Sequence, residues 1–146
     1  MARDKRRSVL LEKFGPLYKK YPTEGKWCIY CGEREGLTRD HVPALDAVDD
    51  MGSAYFERNG HAFWIVPCCF ECNSALGNRE GLFTITTRKQ FLAGWIYKRY
   101  EKAITKGSPW TDEELAEFGY NLRGLLKQLG SVHEWATRRW HWARGF

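Results

Sequence analysis

Cysteines are the residues of this 146-residue chain whose types and spacing indicate the most specific chemistry. Four of the five form two pairs separated by two residues, Cys28 with Cys31 and Cys69 with Cys72. Two thiolates at this spacing reach one metal ion from a single turn, and two such turns complete a tetrahedral sulfur shell for zinc. Cys68 stands directly before the second pair, but its separation from Cys72 is too wide for the same turn. The sequence therefore predicts a zinc ion on two cysteine turns, with buried or redox-active thiols as the alternative.

A four-sulfur shell leaves no open coordination position, so this zinc is expected to be structural rather than catalytic. It would join the turn at residues 28–31 to the start of a helix at residue 72. Metal binding in such small units contributes about 10–16 kcal/mol of apparent free energy. That contribution can replace part of a missing hydrophobic core.

An acid, an imidazole and an amide near the cysteines form a second group. Asp40 and His41 lie in LTRDHVPA, between the two cysteine pairs, and Asn73 follows the last cysteine. Carboxylate and amide oxygens suit Mg²⁺ or Mn²⁺, and an imidazole of ordinary pKa, about 6.5, can take a proton from water. Neighbours on a regular strand point to opposite faces. Asp40 and His41 are therefore expected to converge only if the strand ends or twists near Val42-Pro43.

The order of these motifs, CIYCG, then LTRDHVPA, then VPCCFECNSALG, resembles the HNH, or ββα-metal, nuclease family. It is most similar to the subgroup with four zinc cysteines, and the resemblance covers about residues 27–80. The resemblance implies a metal-dependent endonuclease that cuts DNA phosphodiesters and leaves a 5′-phosphate. By position it assigns the divalent metal to Asp40 and Asn73, the activation of water to His41, and zinc to the cysteines of the two pairs.

The chain departs from the family pattern at two positions. Trp64 stands where the family has a middle Asn, which braces the loop that holds the catalytic His. Asn73 stands where the family often has His, although an amide oxygen also ligates a hard cation. Arg39 and Arg79 flank the motif residues and are predicted to contact the substrate backbone, with ordinary solvated positions as the alternative.

The charge of the chain is +5 and its distribution is uneven. Residues 1–20 and residues 88–106 each carry a net charge of +5, whereas residues 33–57 carry −5. A basic chain favours an anionic partner, most simply nucleic acid. The acidic segment contains Asp40, so it is either a cation site facing a polyanion or a solvated acidic loop. The N-terminal RDKRR is either a phosphate-tracking arm or a plain disordered terminus.

Periodicity and turn residues predict the elements that must position these groups. A helical pattern over residues 8–21 is expected to break or kink at Gly15-Pro16, and Asn59-Gly60 is a tight-turn signal. The predicted strands are GLTRDHV and HAFWIV, while residues 44–58 are ambiguous. The predicted helices are a short one ended by Gly77, a long one over TTRKQFLAGWIYKRYEKAI, one that begins with a capping box at Thr111 and Glu114, and one that begins at Ser131.

The C-terminal helices carry further candidate functional residues, most of which are predicted to have structural roles. Helical spacing predicts burial for the leucine series and for three tryptophans, which could otherwise stack on bases; these are Leu115, Phe118, Leu122, Leu125, Leu126, Leu129, Trp95, Trp135 and Trp140. HEWAT is similar to a zinc-binding HExxH, but Thr137 stands where the second ligand is required. Arg138, Arg139 and Arg144 are either phosphate contacts or a solvated face.

These elements predict an α+β fold in a single domain, residues 1–146. It divides into a basic N-terminal arm and helix over 1–26, a zinc-clamped ββα-metal core over 27–80, and a helical extension over 84–146. There is no run of about 18 apolar residues and no signal-peptide pattern, so the cytoplasm is the default location.

The function predicted from the sequence is DNA endonuclease, with structural Zn²⁺ and catalytic Mg²⁺ or Mn²⁺. Double-strand cleavage by one small site would imply a homodimer. The main alternative is a zinc-containing nucleic-acid-binding module whose nuclease site has lapsed at Trp64. A further alternative is an assembly protein that uses the helical half as its interface.

Overall fold

A computed structural model describes residues 2–77, 79–106, 111–117 and 120–145, with the backbone alone at 112, 115 and 120–130. Over these residues the chain has an α+β fold in which a small three-stranded sheet is followed by a helical C-terminal part, as predicted. The helices are α1 Ala2–Phe14, α2 Leu45–Met51, α3 Ser53–Arg58, α4 Phe70–Leu76, α5 Ile85–Arg99, α6 Glu101–Lys106, α7 Asp112–Ala116 and α8 Tyr120–Arg144. The strands are β1 Lys19–Lys20, β2 Leu37–Val42 and β3 Trp64–Cys69.

Strand β3 lies in the middle of the sheet, parallel to β1 and antiparallel to β2. The predicted strand GLTRDHV is confirmed as β2, but β3 begins three residues later than predicted and runs through Pro67 to Cys69. Proline is tolerated there because β1 pairs only with the first two residues of β3. The Pro67 carbonyl instead accepts a hydrogen bond from the amide of Ile29, at 2.9 Å.

The connection between β2 and β3 is not a tight hairpin, since helices α2 and α3 fill the ambiguous segment. Asn59-Gly60 forms a turn as predicted, but the turn ends α3: the amide of Gly60 donates to Glu57 O at 3.1 Å, and Gly60 has a φ of +71°. A positive φ favours glycine, which lacks a Cβ. The insertion places α2 beside α1 and next to the end of β2.

Helix α1 begins at Ala2, so RDKRR is helical and the alternative of a plain disordered terminus is wrong, while its contact with phosphates stays a prediction. The predicted break is confirmed, because α1 ends at Phe14 and Gly15–Leu17 form a 3₁₀ turn. The buried side chains Leu10 and Phe14 pack against α2, α3 and Tyr18. One hydrophobic cluster therefore fixes α1 and α2, and a second cluster joins the cysteines, the sheet, α5 and α8.

The C-terminal helices differ from prediction in their boundaries. The Thr111–Glu114 capping box is present, with Glu114 N donating to Thr111 Oγ1 at 3.2 Å, but α7 ends at Ala116. Helix α8 runs without a break through Ser131, where a new helix was predicted. The predicted burial of Leu115, Phe118, Leu122, Leu125, Leu126 and Leu129 lies outside the described side chains. The three tryptophans Trp95, Trp135 and Trp140 are half-buried.

No helix in the described part of the chain combines the length and the apolar character needed to cross a membrane.

Candidate zinc centre and active site

The four cysteines of the two predicted turns lie together in the core. Their sulfur atoms are within 4.8 Å of one another, and the Sγ atoms of Cys31 and Cys69 are 3.7 Å apart. A tetrahedral zinc ion with Zn–S bonds of about 2.3 Å separates its sulfurs by about 3.8 Å. The residues present therefore fit a four-sulfur zinc site, and the four clustered sulfurs include that of Cys69 and not that of Cys68.

Backbone hydrogen bonds shape both cysteine turns. In the first turn the amide of Gly32 donates to Cys28 O at 2.8 Å, and in the second the Cys69 sulfur caps α4 by accepting from Cys72 N at 3.4 Å. Gly32 has a φ of +76°, and a Cβ at this position would lie 2.7 Å from the Trp142 ring. Glycine is therefore required here both by the turn and by the close packing of α8.

Arg139 joins helix α8 to the cysteine cluster. Its side chain is buried; its Nε donates to Cys31 Sγ at 3.2 Å, and its Nη2 lies 3.8 Å from the sulfurs of both Cys69 and Cys72. Its Nη1 donates to Glu71 Oε1 at 2.7 Å. Burial alone lowers the pKa of Arg139, but the sulfur of Cys31 and the carboxylate of Glu71 raise it overall. The guanidinium thus stays charged beside sulfurs that metal binding would make anionic.

The second predicted group lies along β2. The strand is regular through Val42, with Asp40 opposite Val66 and His41 opposite Ile65, so the expected end or twist of the strand at this point does not occur. The side chains of Asp40 and His41 consequently leave on opposite faces. Both residues nevertheless line the same cavity, because β2 is the edge strand of the described sheet and the cavity lies along that edge.

Asp40, His41 and Asn73 line one open cavity of about 530 Å³. Asn73 is drawn to β2 by a hydrogen bond of 3.0 Å from its Nδ2 to Thr38 Oγ1. Thr38 shares a strand face with Asp40. Among the described residues no donor reaches the amide oxygen of Asn73, which therefore remains available as a ligand.

The carboxylate of Asp40 is already strongly bonded within the protein. It is buried, and its two oxygens lie 2.8 and 2.7 Å from Nη1 of Arg88 and accept a hydrogen bond of 2.6 Å from the hydroxyl of Tyr30. Burial, followed by the charge of Asp40, raises the pKa of Tyr30, so the phenol keeps its proton and donates. A carboxylate offers about four lone-pair sites. With three contacts made, the carboxylate has about one lone-pair site left, and Asp40 is among the residues that line the cavity.

His41 is half-buried, and its ring meets the edge of the Tyr18 ring at 4.9 Å between centroids. Burial lowers the pKa of His41, and the positive charge of Arg7 lowers it further, while Asp40 acts in the opposite direction. The imidazole is therefore neutral near pH 7 and able to accept a proton. The Trp64 ring packs on Tyr21, and Trp64 lies opposite Val42 in the sheet, beside His41. The hydroxyl of Tyr18 holds the chain after His41 by donating to Pro43 O.

The two arginines predicted to flank the site are separated. Arg39 is exposed and lines the cavity with His41, whereas Arg79 lines a neighbouring cavity and its guanidinium lies 4.5 Å from the Phe91 ring centroid. No role was predicted from the sequence for Arg88, and Arg139, predicted to be either a phosphate contact or part of a solvated face, is buried. The sequence does indicate that Arg88 is buried, because it precedes the core residues Leu92 and Ile96 at helical spacing and so lies on the same face of α5.

No protein-family model matches this chain, and neither a curated protein nor a solved structure matches it significantly.

Proposed function

We propose that this chain is a metal-dependent DNA endonuclease of the HNH type. The observation that carries the proposal is the single open cavity that Asp40, His41 and Asn73 line together, beside four arginines. A neutral imidazole, two oxygen donors and a basic surround are the groups that hydrolysis of a phosphodiester requires.

In this proposal His41 takes a proton from a water molecule as the water oxygen attacks the phosphorus. The bond from phosphorus to the 3′ oxygen breaks, solvent protonates that oxygen, and the phosphate stays on the 5′ side. Asn73 and Asp40 would hold the divalent cation, which supplies charge stabilisation to the phosphate and the leaving oxygen when bound. Tyr18 keeps the His41 ring in place throughout, and Arg88 keeps the Asp40 carboxylate in place.

The test is nicking of supercoiled plasmid with Mg²⁺ or Mn²⁺ by wild type, His41→Ala and His61→Ala. General-base catalysis contributes about 10²–10⁴-fold in rate. We expect His41→Ala to lose nicking by that factor while DNA affinity survives. His61→Ala is the matched control, because His61 does not line this cavity and is expected to cut as wild type does. Equal rates for wild type and His41→Ala would contradict the proposal.

A second candidate function is nucleic-acid binding without catalysis, and the bonding of Asp40 favours it. A carboxylate neutralised by Arg88 attracts a divalent cation less than a carboxylate without a cationic partner would. On this alternative the wild-type protein binds DNA and cuts none with either metal. The two candidates therefore separate in the same plasmid assay, when binding is measured on the same preparation.

A further inference from the structure

Helix α1 extends its core-facing side over the cavity of His41. Leu10 and Phe14 are buried, and Arg3 and Arg7 lie earlier on the same face, because positions 3, 7, 10 and 14 follow the helical period. Both arginines are exposed, and both line the cavity. The packing of the last two turns of α1 thus fixes where the guanidinium groups of its first two turns lie.

Ion pairing divides the arginines of α1 into two roles. Nη2 of Arg6 lies 3.2 Å from Asp46 and 3.9 Å from Asp49, both on α2. Arg6 therefore links α1 to its neighbour. For Arg3, Arg7 and Arg39 the described part of the chain supplies no carboxylate within ion-pair distance.

The positive charges converge on His41 from two elements. Arg39 shares a face of β2 with His41, and Arg7 of α1 lines the same cavity as both of them. Three acids also line this cavity, but Asp46 is paired with Arg6 and Asp40 with Arg88, which leaves Asp4 beside the three arginines. Exposed guanidinium groups that outnumber the remaining acid attract an anion. The planar guanidinium matches the oxygens of a phosphate in pairs.

We propose that Arg3 and Arg7 of α1, with Arg39 of β2, form a binding site for successive phosphates of one nucleic-acid strand, here named the α1 phosphate site. Arg7 and Arg39 hold the phosphate nearest His41, and Arg3, one turn further along α1, holds a neighbouring one. The choice of a polynucleotide over a free anion rests on the proposed function.

The test measures binding of a short fluorescent DNA duplex by anisotropy, without added divalent cation so that no strand is cut. The variant is Arg3→Gln/Arg7→Gln, which keeps good helix formers on the surface of α1. The matched control is Arg34→Gln/Arg138→Gln, which removes the same charge from a separate cavity beside Trp142. Each lost phosphate contact lowers the slope of log affinity against log salt by about 0.9.

We expect the α1 variant to lose about 2 units of that slope and the control variant to keep the wild-type slope. An unchanged slope in the α1 variant, or an equal fall in both variants, would overturn the α1 phosphate site. In a further control, inorganic phosphate and chloride compete with the duplex at equal ionic strength. Stronger displacement by phosphate than by chloride would indicate a site for a small anion and would also overturn the proposal. If binding behaves as expected but wild type cuts no DNA, the nuclease proposal fails and the α1 phosphate site stands.

Discussion

At the scale of single residues, the decisive feature is a buried charge network around Asp40. Its partners come from distant parts of the chain, Tyr30 from the first cysteine turn and Arg88 from α5. Nε of Arg88 also donates to Leu82 O at 2.8 Å, which fixes the guanidinium from both sides. The network holds the Asp40 carboxylate at the cavity wall in one orientation.

Arg88→Met is expected to lower the free energy of unfolding by about 3–5 kcal/mol, because it leaves the Asp40 carboxylate as an uncompensated buried charge. Urea unfolding followed by far-ultraviolet circular dichroism measures the change. Lys98→Met on the exposed side of the same helix is the control, expected to change stability by less than about 0.5 kcal/mol. A similar small change for Arg88→Met would mean that the pair contributes nothing to the fold.

At the scale of elements, the cysteine cluster is where the two halves of the chain meet. Arg139 of α8 bonds to the sulfurs, Trp142 packs on Gly32, and the indole of Trp142 donates to Ile29 O at 3.1 Å. The Arg139 guanidinium lies near three of the four sulfurs, and it would offset part of the negative charge of the thiolates that hold a zinc ion. Helix α8 is thus coupled to whatever metal the cysteines hold.

Arg139→Met is therefore expected to weaken zinc binding by about 10–100-fold, the range found for partners of metal ligands. Competition with a chromogenic chelator measures the affinity without reference to any activity. Arg138→Met serves as control, because Arg138 is the exposed neighbour on the same helix and has no contact with the sulfurs among the described side chains. Equal zinc affinities for the two variants would contradict a role for Arg139 at the metal.

The sequence predicts a helix or strand well where neighbouring residues determine it, and less well where contacts between distant residues determine its boundaries. The spacing within each cysteine pair, the strand LTRDHV and the cap at Gly77 are local, and all three are present. The late start of β3 and the continuous α8 depend on tertiary pairing. Arg88 and Arg139 could not be assigned their roles, because their partners lie 48 and 68 residues away.

At the scale of the whole molecule, some charged residues of the N-terminal half hold helices together and others remain exposed at the cavity. The acidic residues of α2 that gave residues 33–57 their negative charge include Asp46 and Asp49, which bind Arg6 and so fix α1 rather than a cation. The basic N-terminal segment is ordered over the cavity instead of trailing as a tail. Arg3, Arg7 and Arg39 therefore place exposed positive charge at the cavity that His41 lines.

The central claim is that Asp40, His41 and Asn73 act as one metal-dependent site, and the measurement closest to it is the Mg²⁺ dependence of plasmid nicking by Asn73→Ala. Ser74→Ala is the control, since Ser74 lines the same cavity on the next position of α4. We predict that Asn73→Ala raises the Mg²⁺ concentration for half-maximal nicking at least about tenfold, equivalent to about 1.4 kcal/mol of binding free energy. Ser74→Ala should follow the wild-type curve. Nicking by wild type without a divalent cation, or identical Mg²⁺ curves for the two variants, would contradict the claim.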